Sequence, residues 1–385
     1  MTRLARLLLM ANTDGYVAVH MQDFLRRLDA LGVQLHVLCP PGPFVTQLQS
    51  RGLAWSELKL ARGRRGLLSA PGAFRALRRT QRRIQPDLTL AVTAVPVLLT
   101  GMATARGSAS AHVGVVPGLG HYFAPGRRGG RLERAVLRAG FRWAAGKPAT
   151  TLVFQLETDR RRILGDGGAA SARTEVIPGW GVDLTRFEAG PDSRAPLMVA
   201  MISRLLWEKG VGDFVEAARA LRAAGSQARF VLIGETDPGN PSSIAPGQLE
   251  RWTSEGTVEW WGRREDIPAI LARTSVLALP TRYGEGVPRV LVEAGAAGVP
   301  VVAGDVPGCR SIVDHGVNGL VVPPENPKKL AAALQKILES ADLRMEMGAA
   351  HRRRVEEHFD VEFVVARYRQ VFSRFGLDLR GDGSR

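Results

Sequence analysis

In the first half of the chain, short apolar runs alternate with longer stretches whose apolar residues recur every three or four positions. Leu4–Ala11, Val33–Cys39, Asp87–Val92, Ala111–Val116, Thr151–Gln155 and Glu175–Pro178 read as strands. Val19–Leu31, Phe44–Arg51, Pro71–Ile84 and Leu132–Ala145 carry helical spacing. In the last of these, Leu132, Val136, Leu137 and Phe141 are expected on one face. The alternation then restarts. Pro196–Ile202, Ala228–Gly234, Thr257–Trp261, Ser275–Pro280, Val299–Ala303 and Gly319–Val322 read as strands. Gly210–Ala223, Ile267–Ala272, Arg289–Ala297, Pro327–Ser340, Arg344–His358 and Val361–Phe375 read as helices. Strands separated by helices at this spacing predict an α/β fold with parallel sheets covered on both faces.

A chain of 385 residues is too long for one ordinary core, and a cluster of Gly, Pro and Asp across residues 182–196 marks the expected break. The reading is two doubly wound, Rossmann-like domains, 1–185 and 186–358. Residues 359–376 form a closing helix expected to return to the first domain, and 377–385 a frayed tail. Ligands of such sheets bind at the C-terminal ends of the strands, so the site is expected in the cleft where the domains face each other. No apolar run reaches the roughly 18–20 residues that cross a bilayer. Met1–Met10 reads as a first strand rather than a signal peptide. Two cysteines, Cys39 and Cys309, exclude a disulfide scaffold and a cysteine-rich zinc site, and fit a reducing compartment.

Charge separates the halves. The net charge is +15, and all of the excess lies in residues 1–190. Residues 57–142 hold 16 basic and 3 acidic groups, and only six of the 52 basic residues are Lys. Guanidinium groups grip phosphate with two prongs, so an anionic surface is the natural partner. On charge alone, nucleic acid, anionic lipid and plain solvent are all admissible. The basic helices carry few interleaved aromatics and no recognised nucleic-acid motif, so nucleic acid is the remote alternative. No Gly-x-Gly-x-x-Gly follows the first strand, which argues against a dinucleotide-dependent dehydrogenase.

Two segments carry chemistry. In Pro280-Thr-Arg-Tyr-Gly-Glu285-Gly-Val-Pro-Arg-Val-Leu-Val-Glu293, a strand ends and a glycine-flanked loop presents Glu285. A helix then opens at Pro288–Arg289 and carries Glu293 about one turn in. Two carboxylates at different depths suit a polyhydroxylated ligand, because each accepts hydrogen bonds from neighbouring hydroxyls. Backbone N–H groups at the helix start can hold an anionic oxygen. In Ser203-Arg204-Leu-Leu-Trp-Glu-Lys209-Gly210, two cations leave the first strand of the second domain, placed to neutralise a diphosphate leaving group.

These segments resemble the family-four retaining glycosyltransferases, which have the GT-B fold. The resemblance extends to Gly179–Phe187, to the turn Trp261–Ile267 and to the loop Asp305–Gly319. In the first half, Asn12–Gly15, Pro117–Phe123 and Phe154–Asp159 resemble one subgroup. Its members are bacterial transferases that move an N-acetylhexosamine from UDP onto a sugar on undecaprenyl diphosphate. The resemblance implies that Glu293 holds the ribose, Glu285 contacts the donor hexose, and Arg204 and Lys209 bind the diphosphate. Gly286, Val287, Pro288 and Arg289 would meet the donor sugar and phosphate through their backbone, and Arg263 would pack near the base. Gly15 would allow close approach from the other domain. Gly118, Gly120 and Tyr122 would lie on the acceptor side.

The family reading of retention is a front-face displacement without a covalent intermediate, a bound metal or a cofactor. Many relatives place a His where Pro117 stands here; His121, four residues on, would serve donor or acceptor, or be a plain loop residue. His20, beside apolar Val19, is expected on a packed face, and His112 is a weaker candidate. The implied partners are a UDP-sugar, with GDP-mannose or another nucleotide sugar as the alternative, and a lipid-linked saccharide. Such an acceptor implies a cytoplasmic enzyme that associates peripherally with the inner face of the plasma membrane through basic helices.

Overall fold

The computed structural model describes residues 5–61, 65–107, 110–119, 130–165, 173–188, 196–282, 284 and 286–379, with side chains in the third helix from residue 69 onward. It divides into two units, 1–181 with 361–385, and 182–360.

The first unit is built on a parallel sheet of β1 (Arg6–Met10), β2 (Gln34–Cys39), β3 (Ala54–Glu57), β4 (Leu88–Val92), β5 (Ala111–Val116), β6 (Thr150–Phe154) and β7 (Thr174–Val176). The strand order is β3-β2-β1-β4-β5-β6-β7. β1 lies between β2 and β4, with Leu9 opposite Val37 on one side and Leu90 on the other. Nearly every residue of β1, β4 and β6 is buried, as expected of strands covered on both faces. The covering helices are α1 (Gln22–Ala30), α2 (Val45–Ser50), α3 (Arg65–Ile84), α4 (Ala94–Ala105), α5 (Arg131–Ala145) and α6 (Glu157–Leu164).

The second unit repeats the plan with β8 (Met198–Ile202), β9 (Arg229–Ile233), β10 (Glu259–Trp260), β11 (Val276–Leu279), β12 (Val301–Gly304) and β13 (Gly319–Val322). Their order is β10-β9-β8-β11-β12-β13. Its helices are α7 (Val211–Ala223), α8 (Pro246–Ser254), α9 (Ile267–Leu271), α10 (Arg289–Ala296), α11 (Pro307–Arg310), α12 (Pro327–Leu338) and α13 (Ala341–His358). The chain then returns to the first unit as α14 (Val361–Ser373), where Tyr368 and Phe372 are fully buried. Tyr368 stacks on Trp180 with centroids 5.4 Å apart and meets Phe24 edge-on at 4.9 Å.

Several elements differ from the sequence reading. Pro71 lies inside α3 rather than at its start, since the helix already runs from Arg65. The stretch expected as one helix over Val19–Leu31 opens as a π-helical turn at Tyr16–His20, and Val19 and His20 face outward instead of packing. The ring of His20 stacks on Tyr16 at 4.8 Å. α4 has no polar face because it is buried among β5, α3 and α5, so its sequence lacks helical periodicity. In α5, Leu137 and Phe141 turn inward while Leu132 and Val136 are exposed. The four residues expected on one face therefore lie on two. No described helix is long and apolar enough to cross a membrane.

Candidate functional site

In the second unit the strand order reverses between β8 and β11, so the loops leaving these strands diverge at their C-terminal ends. Both chemistry-bearing segments leave from this point: Ser203–Gly210 from β8 and Pro280–Pro288 from β11.

Backbone contacts hold the two loops together. Gly210 has φ +79°, and a Cβ there would lie 2.2 Å from the Pro280 carbonyl oxygen, so the position needs glycine for both conformation and space. The Arg282 N–H donates to the Glu208 carbonyl at 3.0 Å, and the Thr281 hydroxyl donates to the same oxygen at 3.3 Å. The loop after β9 joins them: Leu205 N–H donates to Glu235 O at 2.9 Å, and Trp207 N–H to Ser242 O at 2.8 Å. The result is one continuous rim over three strand ends.

The rim gathers most of the anticipated donor-side residues. Lys209, at the end of a single 3-10 turn, is only 8% exposed. Arg204 is well exposed, with Nη1 3.1 Å from Asp237 Oδ2. Glu293 is held from within its own helix, where Arg289 Nε donates to Oε1 at 2.7 Å and both side chains are largely buried. A buried carboxylate needs such a partner, and the pair fixes its orientation. Pro288 caps α10, preceded by half-buried Val287 and Gly286. Arg263 lies 3.5 Å from Glu265 in the turn after β10. That turn is tied to the rim, since Gly262 O accepts from Gly234 N–H at 2.8 Å. Glu285 lies outside the described residues.

One contributor was not anticipated. Arg282 reaches Asp213 in the first turn of α7 at 3.5 Å and also pairs with Glu325, whose backbone sits at φ +58°. Burial pushes the Asp213 carboxyl above its ordinary range, an effect opposed by the Arg282 charge and the Glu325 N–H. Arg282 thus links the loops after β8, β11 and β13. Its place inside the segment that leaves β11 was the available signal.

In the first unit the order reverses between β1 and β4. Gly15, after β1, has a helical φ of −61°, so conformation does not demand glycine there. Space is tight there: a Cβ would sit 3.2 Å from the Phe44 ring, which would have to shift by a few tenths of an ångström. Its N–H donates to buried Asp14 Oδ1 at 2.8 Å, and Asp14 Oδ2 accepts from Phe44 N–H at 2.8 Å. At the end of β4, Thr93 adopts φ +75° without being glycine, and its buried hydroxyl has no hydrogen-bond partner among the described residues. Strain of this kind concentrates at functional sites.

Gly118 is half-buried beside Leu119, whose N–H donates to buried Asp159 Oδ2 at 3.2 Å. Burial raises the Asp159 carboxyl pKa, with the Leu119 N–H and Arg162 opposing. Gly120, His121 and Tyr122 lie outside the described residues. His112 is a core residue, fully buried against α4, with its pKa pushed down to about 3 by burial. Among the described residues, no three His, Cys, Asp or Glu side chains gather as metal ligands.

Comparison with known proteins finds relatives of both units. Residues 17–186 match the family model described as Glycosyltransferase Family 4, and residues 196–340 match that of Glycosyl transferases group 1. The chain is 33% identical over 177 residues to the N,N'-diacetylbacillosaminyl-diphospho-undecaprenol alpha-1,3-N-acetylgalactosaminyltransferase of Campylobacter jejuni, covering 46% of this chain and 44% of that protein. It is 30% identical over 276 residues to the GDP-mannose-dependent alpha-(1-6)-phosphatidylinositol monomannoside mannosyltransferase of Mycobacterium tuberculosis, covering 65% and 66%. The matched stretches thus span from under half to about two thirds of these relatives. Among solved structures, Anabaena HepE in complex with UDP superposes with a TM-score of 0.76 at 20% identity, over 96% of this chain and 99% of that one. Sucrose-phosphate synthase from Thermosynechococcus elongatus gives 0.77 at 20% identity, over the same shares. At that identity the likeness is one of fold. With one family model on each of its two doubly wound units, the chain belongs to the family-four glycosyltransferases and has the GT-B fold.

Proposed function

We propose that this protein is a retaining glycosyltransferase of polysaccharide biosynthesis that transfers an N-acetylhexosamine, or another hexose, from a UDP-sugar to a saccharide carried on undecaprenyl diphosphate. The observation that carries the reading is the rim of the second unit. There, the Lys209–Gly210 turn is locked against the loop that leads into the Arg289–Glu293 pair. Cations for a diphosphate and a carboxylate for sugar hydroxyls thereby share one strand-end surface. The Campylobacter relative, named for an undecaprenol-linked acceptor, and the UDP complex of HepE support the choice of substrates.

In this reading Glu293 accepts the ribose hydroxyls, Lys209 and Arg204 neutralise the diphosphate, and Glu285 contacts the donor sugar. Arg204 exchanges its Asp237 partner for phosphate. The bond from the anomeric carbon to the diphosphate oxygen breaks, and the acceptor oxygen bonds to the same face of that carbon. The acceptor proton passes to the departing phosphate oxygen, leaving UDP. Catalysis comes from positioning and from stabilising the charge that develops on the leaving group. Protein cations fill the role of a divalent metal, so turnover should persist in excess chelator. A lipid-borne acceptor brings the enzyme to the inner membrane surface, where the basic surplus of the first unit favours anionic lipid.

The 30% identity to a GDP-mannose-dependent enzyme sustains a second reading, in which a GDP-sugar serves another lipid acceptor. A panel of UDP- and GDP-sugars, scored by nucleotide release with polyprenyl-diphosphate-linked saccharides, separates the two. UDP release with an N-acetylhexosamine donor, and an α-linked product by NMR, is the expected result. Release of GDP alone would overturn it.

A further inference from the structure

We propose that the outer face of α5 is a bilayer-inserting surface that seats the first unit on anionic lipid. This deepens the functional reading by naming the element that meets the membrane, but it is testable without any turnover.

The argument begins with a helix that has two apolar faces. Phe141, Ala144 and Ala145 are buried, and Leu137 packs against the same core, which accounts for an ordinary amphipathic helix. The opposite face should then be polar, and it is not. Leu132 is 77% exposed, Val136 57% and Trp143 41%, with Ala139 also exposed between them. At 3.6 residues per turn these four side chains fall within an arc of about 60°. Scattered exposed apolar residues are ordinary, but an aligned stripe opposite a buried face calls for an occupant.

Charge identifies the occupant. Arg131, Arg138 and Arg142 run along one flank of the stripe, all exposed. Lys147 closes its C-terminal end, with Nζ 4.7 Å from the centre of the Trp143 ring. An apolar ridge edged by guanidinium groups, with an indole near one end, matches the acyl–headgroup boundary of an anionic membrane. A second copy of the chain fits less well. A two-fold contact through one helix would bring two such Arg rows close together. A single 15-residue helix, about 22 Å long, offers far less than the roughly 800 Å² per partner of a stable interface.

The contrast with α3 sharpens the assignment. That helix is also strongly basic, but its apolar residues Ala73 and Leu77 are buried, with Phe74 and Ala76 packed on the same core. It can attract lipid by charge and has no described apolar ridge to insert.

The test uses the whole chain with vesicles of phosphatidylcholine alone, or with about 30% phosphatidylglycerol. Wild-type protein should sediment with the anionic vesicles, more weakly in high salt. Leu132→Ser combined with Val136→Ser should lower that binding about tenfold or more, because inserted apolar area supplies much of the affinity. Both positions face outward, so thermal unfolding should be unchanged. Trp143→Leu should abolish a lipid-induced blue shift in fluorescence. Arg79→Ser in α3 should alter the salt dependence and leave the blue shift intact. Undiminished binding by the double serine variant, or no wild-type binding to either vesicle, would overturn the proposal. So would a wild-type dimer, seen by sedimentation velocity, that the double variant converts to monomer without changing lipid binding.

Discussion

At the scale of single residues, the best-defined feature is the pairing of Arg289 with Glu293. Both side chains are largely buried, and the guanidinium one turn earlier supplies the opposite charge that a buried carboxylate needs beside it. Glu293 was legible in the sequence as a ligand-facing carboxylate. Arg289 was read only for its backbone, although its four-residue spacing from Glu293 is the spacing of helix-surface partners. We expect Glu293→Ala to weaken UDP binding by tenfold or more in calorimetry. Arg289→Ala should weaken it comparably, because it leaves the carboxylate buried without its partner. If Arg289→Ala bound UDP as wild type does, the side chain would have no role in orienting Glu293. Thr93 and Asp14 were not legible in the same way. Strain and buried hydrogen bonding arise from folded geometry, and nothing in the local residue pattern announces them.

Among elements, the strand-end loops decide the site, and glycines decide how closely they approach. Gly210 is the sharpest case, with both a left-handed backbone and the Pro280 carbonyl where a Cβ would go. Gly210→Ala should destabilise the second unit by about 2 kcal/mol or more, from backbone strain and the clash together. It should also lower kcat/KM by moving Lys209 relative to the α10 loop. Denaturant unfolding and steady-state kinetics check both, and a variant with wild-type stability would contradict the packing. Elements with a clear polar–apolar alternation, such as α1, α7, α10 and α12, were readable from the sequence. α4 was not, because a helix buried on most sides has no polar stripe. Edge strand β3 was not, because its four residues are only partly buried. α5 was recognised as a helix, but which of its two apolar faces turns inward depends on what it packs against.

For the whole molecule, two compact units, each with its own buried clusters, imply two partly independent unfolding events, each with its own buried imidazole. His112 lies in the first unit with a pKa near 3, and His351 in the second with a pKa near 4, both lowered by burial from 6.5. Each stays neutral in the fold while its unfolded counterpart takes up a proton below about pH 6.5. Stability is therefore unaffected above that pH and is lost as pH falls toward the folded values. At pH 5 each unit should lose about 2 kcal/mol from its histidine, at about 1.4 kcal/mol per pH unit. Urea unfolding at pH 7.5 and pH 5, with His112→Phe and His351→Phe compared, measures this. A pH-independent midpoint for either unit would refute it for that unit.

The sequence by itself determined the α/β class, the repetition of one plan in two halves, and the residue types of the donor-side segments. These follow from local periodicity and from short motifs whose chemistry is carried by neighbours in the chain. Tertiary structure alone decided that Tyr368 of α14 stacks on Trp180, and that Arg282 ties three loops together. It alone decided that Leu132, Val136 and Trp143 face outward. Each of these depends on contacts between residues far apart in sequence, and a linear pattern holds no record of which surfaces will meet.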